Sequence, residues 1–313
     1  MRRPRHLPVL LLPVLMLIWG YSWVPGKLGV MNSSAFMFAC LRTFPAAIVL
    51  LALLPLTGRP LRPKEVPLTA VVGVLQVAGF VAFISAALVT GGAGHGALLA
   101  NTWQFWLLIL AWWFLGERLQ RYQWVAVCLA LAGLVLIIEP WGLRGVASSL
   151  LTLAGAVCFA AGAVVAKILR RRKQLDLLSF TAWQSLFGSL PLIVLAAVIP
   201  GDPIKWNHTF IWSVAFSALV GSAFAGVLWL YLLNALPANT AGIGTIGTPV
   251  IGVLSSWLQL GENLSAYEIA GMVLIVTALA LLVLRGLIPA SRVPRGPDAA
   301  VAEIEQGRAT QSP

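Results

Sequence analysis

Arg42 stands about eight residues into an apolar run that opens near position 34, roughly 12 Å along a helix axis at 1.5 Å per residue. A guanidinium at such depth is costly in hydrocarbon and needs a partner. That partner is either structural (helix carbonyls, or an interface reached by snorkelling) or an anionic group on a cargo, and both readings stay open. Carboxylates, the usual counterpart, lie deep in none of the apolar runs. Glu65, Glu117, Glu139, Asp176, Asp202 and Glu262 fall at breaks, Glu268 opens the last run, and Asp298, Glu303 and Glu305 belong to a polar tail. Carriers that trade protons for cationic drugs use an intramembrane acid as the shared site. Without that device the pattern suits a neutral, zwitterionic or anionic cargo, its carboxylate met by Arg42, Lys27 or a helix N-terminus.

Amides come next. Gln76, Gln104, Gln184 and Asn101 lie inside apolar runs, where an unpaired amide is unfavourable. Gln104 with Trp103, facing Thr245 and Thr248, is the expected pseudo-symmetric pair of cargo contacts. Trp19, Trp23, Trp103, Trp183, Trp229 and Tyr231 also lie deep, with packing or lipid contact as the default, whereas Trp141, Trp206 and Trp212 fall at interfaces as belt anchors. Lys27 is near the end of its run and is expected to snorkel. Lys167, three residues before Arg170, is assigned to a basic rim, its alignment with Lys27 at an offset of 140 (from 27 to 167) read as inheritance and not a shared role. Residues 91–96 are glycine-rich and contain His95, but lack the Gly-Lys-Ser/Thr of a nucleotide loop. A tight turn with close helix packing is expected there, and the same for Gly242, Gly244 and Gly247. His95 is read as structural, with a proton-handling role as the alternative.

An embedded lipid transferase or protease would need paired acids, a metal cluster or a nucleophile with a base. Only His6, His95 and His208 exist, and Cys40, Cys128 and Cys158 read as small buried hydrophobes. A membrane enzyme is therefore the remote alternative, and no cofactor, metal or catalytic residue is expected.

The elements that position these groups follow from composition. Of 313 residues, 59% are hydrophobic and 10% charged, with mean hydropathy +0.91, which excludes a single soluble core. Ten spans are expected, over 8–30, 34–55, 67–89, 93–115, 122–139, 147–168, 178–199, 210–234, 238–259 and 265–284. They are separated by turn chemistry such as Gly58-Arg59-Pro60, Gly91-Gly92, Pro140-Trp141-Gly142 and Pro237-Ala238-Asn239. Backbone in lipid must satisfy its own hydrogen bonds, so the spans are helices. The first is a retained span and not a cleaved signal, since no small-residue cleavage site interrupts it. With the N-terminus in the cytoplasm, that side collects Arg2, Arg3, Arg5, Arg59, Arg62, Lys64, Arg118, Arg121, Arg170 to Lys173, Arg285, Arg292, Arg295 and Arg308, and the other side only Arg144 and Lys205. The net charge of +11 thus records topology and not nucleic-acid binding.

The chain also repeats itself. Leu115-Gly116-Glu117-Arg118-Leu119 returns 145 residues later as Leu260-Gly261-Glu262-Asn263-Leu264, and Trp112, Tyr122, Leu129 and Leu134 match Trp257, Tyr267, Leu274 and Leu279 at that offset. Five spans per copy is odd, so the second copy must sit inverted. Inverted repeats around a midplane site are a recurring plan of secondary transporters. The expected organisation is a cytoplasmic N-terminus (1–7), a first five-helix repeat (8–139), a second (147–285) and a disordered cytoplasmic tail (291–313). Both Leu-Gly-Glu turns are assigned a structural role, in which the carboxylate favours the N-terminal dipole of the span that follows.

With Trp19-Gly20-Tyr21-Ser22-Trp23 and Lys27 in span one, Leu41-Arg42 in span two, the two Leu-Gly-Glu turns, and Thr248-Pro249 within 245–250, the chain resembles the EamA-type members of the drug/metabolite transporter superfamily over nearly all of 8–285. The resemblance implies an all-α integral membrane protein of ten transmembrane helices, two inverted five-helix repeats around a central cavity. It also implies export or exchange of small metabolites, amino acids foremost. In one place the chain departs: Gln104 stands where the second repeat has Pro249, which removes the usual cause of a kink in span four and adds an amide to the cavity wall. The expected cargo contacts are Trp19, Ser22, Arg42, Gln76, Trp103, Gln104, Trp229, Thr245 and Thr248. The expected partners are a small-molecule substrate and the lipid bilayer, no nucleic acid, with the chain a monomer or homodimer. The expected location is a bacterial inner membrane with both termini cytoplasmic. A carrier of lipophilic drugs or nucleotide sugars is the alternative cargo class.

Overall fold

Apolar runs without water around them close their hydrogen bonds internally, and every regular element among the described residues is helical. A computed structural model of the chain describes residues 7–138, 145–236 and 246–287. Nine of its helical stretches are long and apolar enough to cross a bilayer, from Leu10–Met31 to Ala266–Arg285, and Thr248–Leu260 is shorter. The chain is a multi-pass membrane protein. The breaks expected at 140–142 and 237–239, together with Glu139, Arg144, Gly242, Gly244, Thr245, the first six residues and the tail, lie outside the described residues.

In order, the helices are α1 (Leu7–Tyr21), α2 (Trp23–Met31), α3 (Ala35–Leu56), α4 (Val66–Gly73), α5 (Phe80–Thr90), α6 (Ala93–Ala100), α7 (Trp103–Leu115), α8 (Arg121–Ile138), α9 (Val146–Arg172), α10 (Leu177–Val198), α11 (His208–Ala215), α12 (Ala225–Ala235), α13 (Thr248–Leu260) and α14 (Ala266–Leu287). Two π-helical segments, Val74–Gly79 and Phe216–Phe224, join α4 to α5 and α11 to α12 without a break. Insertions of this kind recur at functional sites. The helix bounds fall close to the expected ones; α9 runs furthest past its expected end, through the basic turn Arg170 to Arg172.

The departure at Gln104 does not straighten the fourth span. It is interrupted anyway between α6 and α7, where Asn101 Nδ2 donates to the Ala97 carbonyl at 2.7 Å and Thr102 Oγ1 to that of Leu99 at 2.6 Å. Polar side chains take up carbonyls there that a regular helix would use. Pro249, by contrast, sits in the first turn of α13, where its missing N–H leaves no carbonyl unpaired. Gly116 and Gly261 close α7 and α13 with nearly the same left-handed backbone, φ 64° and 66°, a conformation that glycine adopts without strain.

Packing runs across the chain more than along it. α3 lies on α10, α8 on α14 and α6 on α13; α5 rests on α9 as α11 rests on α2, and α7 rests on α9 as α1 rests on α13. Taken span for span and not helix for helix, these pairings recur when the two matching stretches of the chain are exchanged. Apolar side chains of α6, α7, α8, α13 and α14, among them Leu99, Val127, Ile137, Val253 and Ile275, share one core cluster. α4 reaches α10 through Gly73 and Gly188: a Cβ on Gly188 would strike the Gly73 carbonyl oxygen and Val77. Gly188→Val is accordingly expected to destabilise the fold by about 1–3 kcal/mol, read as a lower thermal midpoint in detergent.

Candidate functional site

Ser34 starts α3 by accepting from the Met37 amide, which sets Arg42 two turns into the helix. Its guanidinium carbon lies 5.9 Å from the centroid of the buried Phe38 ring, within cation–π range. Among the described residues Arg42 makes no hydrogen bond or ion pair, and its Nε is buried without a partner. Ser217 Oγ, in the π-helical segment that packs on α3, and Thr248 Oγ1, at the start of α13, are buried and unpartnered in the same sense. Buried polar atoms in this condition need an explanation, and a polar molecule bound among the helices supplies one.

The remaining expected contacts fall into small groups. Gln76, in the first π-helical segment, donates from Nε2 to the Phe159 carbonyl at 3.3 Å, and Gln184 Nε2 donates to Gln76 Oε1 at 3.4 Å. The Trp103 ring packs edge-on against Phe159 at 4.9 Å, and Phe159 packs against Phe80 at 5.2 Å. Gln76, Gln184 and Trp103 thus meet at the middle of α9. Trp19 and Trp229 pair at 5.7 Å, and Ser22 donates to the Ile18 carbonyl at 2.6 Å, its hydroxyl beside Gly221. Thr248 lies against Gly20 of α1. Gln104 occupies the first turn of α7, half-buried. The structure seats Trp103 on α9 and Thr248 on α1, while α13 meets the fourth span through Gly94 and Ala97 of α6. Thr245 lies outside the described residues. Trp183 is not deep: its Nε1 donates to the Leu61 carbonyl ahead of α4.

Sequence reasoning missed what holds the two ends. Lys27 does not snorkel. Its ammonium donates to the carbonyls of Leu88 at 2.7 Å and Gly91 at 2.9 Å, capping the C-terminus of α5. Glu262 does not serve the span that follows it either. Its two oxygens accept from the amides of Ala93 at 2.8 Å and Gly94 at 2.9 Å, capping α6. The turn at Gly91–Gly92 is gripped by a cation on one side and an anion on the other, each at the helix terminus it favours. The acid at the start of α14 is Glu268, in a capping box with Ser265. At the opposite end Glu117 accepts from Lys167 at 2.7 Å and Arg171 at 2.6 Å. Lys27 and Lys167 thus both act at helix ends, but differently: Lys167 pairs with Glu117 itself, whereas Lys27 holds the carbonyls at the end of α5.

The hydrogen bond from Lys167, seconded by Arg171, holds the Glu117 carboxyl below the ordinary carboxylate range. A depressed value adds stability that is fully present above the unfolded value and is lost as the pH falls through the folded one. Because the group is partly exposed, Glu117→Gln is expected to cost under about 1 kcal/mol at neutral pH, a gap that closes in acid; thermal midpoints at two pH values check it.

The family model described as the EamA-like transporter family matches residues 6–139 and again 147–284. The chain is 26% identical over 269 residues to "Uncharacterized transporter YoaV" of Bacillus subtilis, covering 83% of this chain and 90% of the other. It is 29% identical over 280 residues to "Probable amino-acid metabolite efflux pump" of Salmonella typhimurium, covering 85% and 91%. It is 28% identical over 294 residues to "Uncharacterized inner membrane transporter YedA" of Escherichia coli K12, covering 89% and 92%. A solved structure titled "Crystal structure of protein" superposes with TM-score 0.64 over 91% of this chain and all of the other, at 19% identity, a likeness of fold alone.

Proposed function

Since the chain belongs to the EamA-like transporter family, we propose that it exports or exchanges small neutral, zwitterionic or anionic metabolites, amino acids foremost, by alternating access between two inverted five-helix repeats. The observation that carries the cargo class is Arg42: a guanidinium inside a span, over an aromatic ring, with no acceptor among the described residues. A cargo carboxylate completes it, with Ser217 Oγ and Thr248 Oγ1 as further polar atoms in want of partners. The printed name of the Salmonella relative is in keeping with this choice.

Support for the inverted repeats comes from the doubled family match and from helix contacts that survive exchange of the halves. The tenth helix of this plan is the one that contains α13. The proposed location is a bacterial inner membrane, in keeping with the name of the Escherichia coli relative, with both termini cytoplasmic by the distribution of Arg and Lys. This puts the Glu262 clasp outside and the Glu117 ion pairs inside. Reporter tags at 117 and 262 should land in opposite compartments; a shared compartment would sink the inverted arrangement.

A second class, nucleotide sugars, draws on one observation: a basin lined by Arg170, Arg171, Lys173 and Asn234 at the end where α9 finishes. Proteoliposome counterflow with labelled amino acids, sugar nucleotides and cationic dyes separates the two. Saturable amino-acid exchange is the expected result. Exchange of sugar nucleotides alone moves the assignment to the second class, and dye transport alone refutes both.

A further inference from the structure

Gln76 and Gln184 come from the two matching stretches of the chain, and two glycines let them meet. Gly73 allows α4 to press on the backbone carbonyl of Gln184, and Gly162 allows the Gln76 side chain to lie on α9. Yet the bonds made there are long. Gln184 Nε2 reaches Gln76 Oε1 at 3.4 Å and Gln76 Nε2 reaches the Phe159 carbonyl at 3.3 Å, both outside the usual range of about 2.7–3.2 Å. Other polar side chains inside the spans are held closely. Asn101 bonds at 2.7 Å and Thr102 at 2.6 Å, and His95 lies between Glu268 at 2.7 Å and Ser149 at 2.8 Å. Gln184 Oε1 accepts no hydrogen bond among the described residues, and one hydrogen of its Nε2 is left over. A half-buried carboxamide inside a span thus keeps one acceptor and one donor side by side, with nothing on either.

The cluster has a counterpart. Ser34 and Asp176 cap α3 and α10 at an interval of 142 (from 34 to 176), and the two π-helical segments open at the same interval (from 74 to 216). At that interval Arg42 falls on Gln184, and Ser217 falls on Leu75, the neighbour of Gln76. Thr248, at the 145-residue offset of the Leu-Gly-Glu turns, falls on Trp103, whose ring packs on Phe159. Arg42, Ser217 and Thr248, each with a buried unpartnered atom, therefore have their repeat mates in or beside the amide cluster. One repeat offers a guanidinium where the other offers an amide.

Their separation limits what can touch both. α3 and α10 each have 22 residues and pack antiparallel: Ala39 shares a cluster with Leu192, whereas Leu50 and Leu54 share one with Ala182 and Leu178. Arg42 and Gln184 are each the eighth residue of their helix, so they stand about seven residues apart along the pair, roughly 10 Å at 1.5 Å per residue. Helical side chains lean toward the N-terminus, which here draws the two heads apart. With a hydrogen bond of about 3 Å at each end, a cargo touching both carries polar groups at least roughly 4 Å apart. An α-carboxylate and an α-ammonium share one carbon and are too close. A carboxamide at the end of a side chain is not.

We propose that Gln184, backed by Gln76, is a second cargo-binding subsite, which takes the side-chain carboxamide of an amino acid whose carboxylate rests on Arg42. This rests on the transport reading above and narrows its cargo to glutamine-like amino acids. Among amino-acid side chains a carboxamide alone presents N–H and C=O side by side, matching Gln184 Oε1 and Nε2 together. A cargo held there also touches both repeats, Gln76 belonging to one and Gln184 to the other.

Counterflow in proteoliposomes with labelled glutamine and labelled leucine tests this, because the two share a carboxylate and differ at the far end. The wild-type chain should show the lower KM for glutamine. Gln184→Met keeps the length of the side chain without its amide. It should raise the KM for glutamine about tenfold and leave that for leucine within about twofold, since only an amide cargo loses a partner. Arg42→Gln should weaken both cargoes alike. A pair that merely fastens helices would shift the two KM values together or not at all, and that result overturns the proposal. So does a wild-type preference for leucine. Gln76→Met should act in the same direction with a smaller effect, and carries the test if Gln184→Met gives no monodisperse peak. Exchange of both amino acids, indifferent to either amide, refutes the subsite and leaves the cargo reading standing. A chain that exchanges neither refutes both.

Discussion

Arg42→Gln is expected to cut carrier-mediated uptake by about thirtyfold or more while leaving insertion and thermal stability intact. Removing one partner of a desolvated charge pair costs about 2–5 kcal/mol, and 1.4 kcal/mol is tenfold, so the loss spans from about thirtyfold to several thousandfold. The stability half of the result is the more discriminating. An arginine that held helices together would leave broken bonds behind and lower the thermal midpoint. Arg42 has no hydrogen bond or ion pair to break among the described residues. A buried charge without a partner is unfavourable, so the neutral amide should leave the midpoint unchanged or raise it. Arg42→Lys keeps the charge without the planar fork and should retain part of the activity. Full uptake in Arg42→Gln refutes the role, and a midpoint lowered by many degrees turns Arg42 into a structural residue.

What could be read in advance divides along the chain's contacts. Span limits were legible because hydropathy and turn residues are local: Ala35–Leu56 and Leu177–Val198 lie within a residue of expectation. The isolation of Arg42 was legible too, since no acid lies deep in any apolar run. The partners of Glu262 and His95 were not, because they sit 169 and 173 residues away in the chain, and nothing beside either residue names them. The repeat is the one usable signal: acids at 117 and 262, and lysines at 27 and 167, keep their offsets and all act at helix ends, though each with partners of its own. It is easily discounted for the lysines, because Lys27 looks like an ordinary end-of-span cation. The interruption at Asn101–Thr102 is hidden for another reason. Proline announces a kink in the sequence, whereas side-chain hydroxyls and amides that collect carbonyls do not. The π-helical segments leave no compositional mark at all.

Gly271→Leu should do the reverse of Arg42→Gln, removing the fold and with it any activity. α8 and α14 touch backbone to backbone: a Cβ on Gly271 would lie 2.6 Å from the Gly133 carbonyl oxygen, and one on Gly133 would lie 2.8 Å from that of Gly271. Fully buried Ala126 and Ala278 stand seven residues from these glycines and complete a small-residue seam on both helices. Lipid tails are as apolar as leucine, so the hydrophobic effect does not press membrane helices together; close van der Waals contact does. A leucine at 271 forces the pair apart and strips contacts from buried Ile137, Ile275 and Leu279, at a cost of about 3 kcal/mol or more. A fall in thermal midpoint beyond 10 °C, or loss of a monodisperse peak in detergent, is on the order of what that implies. The contrast with the α5–α6 end explains how a carrier can move without unravelling. There the halves are joined by long side chains on helix termini, Glu262 and Lys27, which water can replace bond for bond. At the glycine seam nothing can replace the contact, so under the proposed alternating access α8 and α14 are the pair expected to stay together while the clasp opens. If Gly271→Leu folds and transports normally, the seam is not the fixed pair, and the hinge of the carrier must lie elsewhere.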